Sequence, residues 1–89
     1  MKWIIARHNN NLDGTMLFQM DGSTEAVKEY LVEMVKQDRE NDKDSTWIGG
    51  TESTEEVKEK SFKTLYAYGS YYDYHIDYTA KPIDLISKL

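Results

Sequence analysis

Cysteine is absent from the 89 residues, which excludes a disulfide framework, a thiolate zinc site and a thiol nucleophile. Long apolar runs are absent too. The opening Trp3-Ile4-Ile5-Ala6 is too short for the core of a signal peptide and far too short to span a bilayer. A cytoplasmic location and no membrane partner are therefore expected. Basic residues are in short supply: 11 Lys and Arg stand against 16 Asp and Glu, for a net charge of −5. That is the wrong sign for neutralising phosphates, so nucleic acid is disfavoured as a partner. The acid excess reads first as a solubility device and second as a lure for a basic partner surface. Gly-x-Ser-x-Gly, Walker and dinucleotide-type glycine patterns are all missing. No cofactor is expected.

What is present fits one domain, residues 1–89, because a chain this short can bury only a single core. Lys2 to His8 and Thr15 to Met20 read as two strands, joined by a polar loop in which Asp13-Gly14 is a favourable turn pair. Ser23 is placed to cap a helix from Thr24, whose apolar positions Val27, Tyr30, Leu31, Met34 and Val35 recur at helical spacing. The mixed-charge run Gln37 to Asp44 reads as a fraying helix end passing into a solvated loop. Thr46-Trp47-Ile48 is a short strand cut off by Gly49-Gly50, and Ser53 with Glu56 makes a capping-box pattern for a second helix running to Lys60. Six of the seven tyrosines fall between Phe62 and Ala80. Gly69-Ser70 divides that stretch into an expected hairpin of Lys63–Tyr68 and Tyr72–Ala80, ended by Lys81-Pro82. The tail Ile83 to Leu89 is apolar enough to dock. The order strand, strand, helix, strand, helix, strand, strand gives an α+β fold, a mainly antiparallel sheet with helices on one face.

Period-two alternation in the last strand places Tyr72, Tyr74, Ile76, Tyr78 and Ala80 on one face and Asp73, His75, Asp77 and Thr79 on the other. Neighbours on one face lie roughly 6 to 7 Å apart, and Asp-x-His-x-Asp supplies an imidazole and two carboxylates, ligands suited to zinc, manganese or iron. A strand with one face on the core shows the same pattern with no chemistry at all, and this bland reading leads. His8 ends the first strand. If that strand pairs with the last, His8, Asp73, His75 and Asp77 surround one pocket, the candidate metal or acid–base site. Gly49-Gly50-Thr51 before a capped helix resembles an anion-binding turn, but a strand-to-helix turn that needs unusual backbone angles is the preferred reading.

The tyrosines Tyr66, Tyr68, Tyr71, Tyr72, Tyr74 and Tyr78 exceed what one small core can bury with every hydroxyl satisfied. Some rings are therefore expected at the surface, where they favour recognition. The opening Lys2-Trp3-Ile4-Ile5-Ala6-Arg7-His8, with Leu65-Tyr66-Ala67-Tyr68-Gly69 and Tyr74 through Ala80, resembles small uncharacterised proteins of Gram-positive gut bacteria. The resemblance spans most of the chain and implies no activity for any residue. The sequence points first to a non-enzymatic protein-binding domain contacting its partner through Tyr68, Tyr71, Tyr72 and Tyr74. A small metal-dependent or acid–base enzyme centred on Asp73, His75 and Asp77 is the alternative, and a homodimer formed through an exposed strand edge, its interface burying the surplus tyrosines, is a third possibility.

Overall fold

Two neighbouring strands of eight and seven residues open the fold, each a short apolar run rich in Trp, Ile, Met or Phe and bounded by polar residues. The computed structural model describes residues 1–10, 14–41, 46–72 and 74–83. Strand β1 (Lys2–Asn9) pairs antiparallel with β2 (Thr15–Asp21) without a break in register, from Lys2 opposite Asp21 to His8 opposite Thr15. The Ser23 hydroxyl accepts the Ala26 N–H at 3.1 Å, the N-terminal cap that the sequence suggests, and starts α1 (Thr24–Asn41). Val27, Leu31, Val32 and Val35 are buried along one stripe of this helix. No described helix is long and apolar enough to cross a membrane.

Beyond α1 come β3 (Trp47–Gly50), a single 3-10 turn at Thr54–Glu56, β4 (Lys58–Lys60), a turn at Ser61–Lys63, β5 (Thr64–Tyr71) and β6 (His75–Pro82). One antiparallel sheet runs β2-β1-β6-β5-β3, and β4 also pairs with β5. The α+β class and the antiparallel sheet are as expected. The helix packs on one face against Trp3, Ile5, Leu65, Ala67, Ile76, Tyr78 and Ala80, all buried. No described element covers the other face.

Three local readings are corrected. The segment from Ser53 to Lys60 is not a second α-helix: it makes one 3-10 turn and then a strand. Its capping-box pair exists, with the Ser53 hydroxyl donating to Glu56 at 2.9 Å. Val57 is its single buried anchor, too little apolar surface to hold a helix on the sheet. Gly49-Gly50 belongs to β3 and does not terminate it. The third correction concerns Gly69-Ser70, which lies inside β5 while the hairpin closes at Tyr71, whose N–H donates to the Tyr74 carbonyl at 2.8 Å. Gly69 serves packing and makes no turn: a Cβ there would lie 2.7 Å from the Trp47 ring, so its missing side chain is the slot for that indole. The expected Asp13-Gly14 turn and the docking tail fall largely outside the described residues.

Candidate functional site

Residues directly opposite each other in an antiparallel pair share a face, so register alone maps the uncovered side of the sheet. Across its middle runs the row Thr15, His8, Asp77, Tyr68. The adjacent row is Leu17, Ala6, Thr79, Tyr66, Lys58, and the next is Gln19, Ile4, Lys81. His75 lies opposite Ser70 on the other side of the Asp77 row. The pairing of the first and last strands that a shared histidine site requires is therefore present, with His8 opposite Asp77.

Asp77 is the hub of this face. The Tyr66 hydroxyl donates to its Oδ1 at 2.5 Å, and His75 Nε2 lies 3.2 Å from its Oδ2. Burial, followed by the hydrogen bond and the charge of Asp77, pushes the Tyr66 phenol well above the ordinary tyrosine value. The carboxylate thus holds the proton on Tyr66, the opposite of what activates a phenol as a nucleophile or base. His8 turns away from the hub, its Nδ1 3.3 Å from the Thr15 hydroxyl. Among the described residues no three histidines or acidic residues are grouped so as to hold a metal ion. Asp73, one of the four candidate ligands, lies outside the described residues.

The aromatic candidates separate into two groups. Tyr71 is buried at 3 % exposure, packed edge-on against Trp47 and stacked on half-buried Tyr74 with ring centroids 4.6 Å apart. Tyr72, in the turn, is 77 % exposed. Tyr68 is on the uncovered face, stacked at 5.8 Å on Tyr66, and Lys60 Nζ caps the Tyr66 ring at 4.4 Å. The four tyrosines picked out in the sequence are therefore not one surface. Tyr66 and Lys60 complete the platform around Tyr68. Tyr66 was legible as the alternate-position neighbour of Tyr68, but Lys60 was not, because the strand that carries it was read as helix.

Charge is divided between the two sides of the molecule. Exposed Glu25, Glu29, Glu33 and Glu40 lie on the helix, and Glu52, Glu55 and Glu56 lie around the 3-10 turn. On the uncovered face, Lys2, Lys58, Lys60 and Lys81 meet only Asp21 and Asp77 among the described acids, and Asp21 is paired with the N-terminal ammonium at 3.1 Å. An acidic chain thus presents a locally basic, tyrosine-bearing sheet face.

The suggested anion-binding turn is not one. The Thr51 N–H donates to the Tyr68 carbonyl at 2.8 Å, and the Thr51 hydroxyl accepts the Tyr68 N–H at 3.2 Å, so these groups tie β3 to β5. Gly50, at φ 146°, is required because any Cβ would overlap the Tyr68 carbonyl. Beside it a cleft of about 200 Å³ is lined by Val35, Lys36, Arg39, Trp47, Thr51 and Glu52, with the Arg39 guanidinium 5.3 Å above the Trp47 ring. It holds no histidine and a single carboxylate, too few groups for paired acid–base work. No family model, curated protein or solved structure matches the chain.

Proposed function

We propose that the protein is a non-enzymatic protein-binding domain whose contact surface is the uncovered face of its sheet, centred on Tyr66 and Tyr68. The single observation behind this reading is the half-buried, stacked tyrosine pair on a face that no described element covers. Rigid aromatic rings supply contact area at low entropic cost and are enriched among residues that dominate binding energy. The surrounding lysines favour a partner that brings carboxylates to the rim, with binding that weakens as salt rises. A protein fits better than a nucleic acid. A phosphate backbone laid across the tyrosines would meet the Asp77 carboxylate beside Tyr68, and the net charge of −5 opposes it at longer range.

Affinity capture from lysate of the source cells, compared between wild type and a Tyr66→Ser/Tyr68→Ser double variant, tests the reading. A protein captured by wild type, lost by the double variant and retained by Tyr72→Ser supports it. Retention by the double variant with loss on Tyr72→Ser moves the contact surface to the β5–β6 turn.

A further inference from the structure

The sheet has two borders of opposite character. On one side, β3 has four residues with a register break between Trp47 and Gly49, and β4 is Lys58-Glu59-Lys60, fully exposed and charged at every position. Short, irregular, charged edges resist pairing with another strand. On the other side, β2 carries none of these protections. Its seven residues keep unbroken register with β1, contain no proline, and bear no charge before Asp21. Met16 is 61 % exposed and Leu17 69 %, and they point to opposite faces of the strand. A long, regular, uncharged edge with apolar side chains on both faces is a template for strand addition.

We propose that this edge pairs antiparallel with the same edge of a second copy of the chain, about a two-fold axis through Phe18. The strand is self-complementary in that register. All seven residues pair: Met16 faces Met20 of the second copy, Leu17 faces Gln19, Phe18 faces its own equivalent, and Asp21 faces the Thr15 hydroxyl. No like charges are opposed, and the apolar residues on the helix side meet apolar residues. Phe18 and Met20 already pack against the core from this strand, so the pairing extends the core across the axis. Directly opposed residues share a face, which places both helices on one side of a continuous sheet and both uncovered faces on the other. Each copy carries a net charge of −5 that opposes approach, so screening salt strengthens this dimer. That salt dependence is opposite in sign to the one expected for an acidic partner on the tyrosine face.

Sedimentation velocity on the full chain, up to about 1 mM, where even a weak homodimer is populated, gives the test. The expected result is a wild-type dimer that tightens with salt. Leu17→Lys and Leu17→Glu each raise the dimer dissociation constant by about tenfold or more, because like charges become diagonal neighbours across the axis. At a concentration where all three proteins are monomeric, both variants keep the wild-type melting temperature, since Leu17 is exposed. An equimolar mixture of the two recovers a one-to-one heterodimer, which a merely structural role for Leu17 does not produce. Met16→Lys, on the other face of the strand, sets a charge against Met20 of the second copy, weakens the dimer and serves should Leu17→Lys fail to fold. A wild-type monomer at the highest concentration overturns the proposal, as does a dimer that both lysine variants leave intact.

Discussion

Each face of the sheet holds a tyrosine hydroxyl bonded to an aspartate at 2.5 Å: Tyr78 to Asp38 under the helix, and Tyr66 to Asp77 on the uncovered side. The contact is the same and the surroundings are not. Under the helix, Arg7 donates to Asp38 and to Tyr78 at 3.0 Å each, so three polar groups satisfy one another beside the core and pin α1 to β1 and β6. On the uncovered side the second neighbour of Asp77 is exposed His75, and water can replace any partner that is lost. One network therefore stabilises the fold, and the other lies on a face that no described element covers.

The sharpest way to break this comparison is to delete the two acids in turn. Asp38→Ala leaves Arg7 partly buried with no carboxylate and is expected to cost about 3 kcal/mol in urea denaturation, whereas Asp77→Ala is expected to cost under about 1 kcal/mol. Equal costs would mean that the two faces contribute alike to the fold. Gly69→Ala forces a methyl group into the Trp47 ring on the covered face and should lose about 2 kcal/mol, measured in the same way. Removing one hydroxyl at a time refines the contrast: Tyr78→Phe is expected to cost about 1 kcal/mol and Tyr66→Phe about half as much.

The smallest effect is on pH dependence. Burial, then the bond to Asp38, raises the Tyr78 pKa above its ordinary value, and Tyr66 is raised by burial and Asp77. The folded protein therefore keeps these protons after the unfolded chain begins to release them near the ordinary value of about 10. The unfolded state then binds fewer protons, so stability present below about pH 10 falls as the pH rises further. Thermal melts across that range should show a shallower alkaline decline in Tyr78→Phe and in Tyr66→Phe than in the wild type, because each variant removes one of the raised phenols.

Much of the architecture was legible because it is written locally. The alternation Ile76, Tyr78, Ala80 against His75, Asp77, Thr79 fixed the two faces of the last strand, and the structure buries the first set and leaves the second on the uncovered side. Ser23 and the stripe from Val27 to Val35 located the helix. Reading failed where a residue serves a distant neighbour. Asp38 sits in a charged run that reads as a frayed end, yet the helix continues through it to Asn41 because Arg7 and Tyr78 hold its carboxylate. Gly69 looks like a turn because the indole that needs its empty space lies 22 positions earlier in the chain.

The sequence by itself determined the long helix, every strand but β4, and the two faces of that helix and of the last strand, along with the exclusion of thiol chemistry, since periodicity and composition are properties of contiguous residues. Only the tertiary structure decided that β1 lies against β6, that lysines gather on one face of an acidic chain, and that one border of the sheet is guarded and the other is not. Those features join residues as far apart as Arg7 and Tyr78, 71 positions along the chain. Such pairings are selected by the free energy of burying a shared core, and a local stretch of sequence carries no mark of its eventual neighbour.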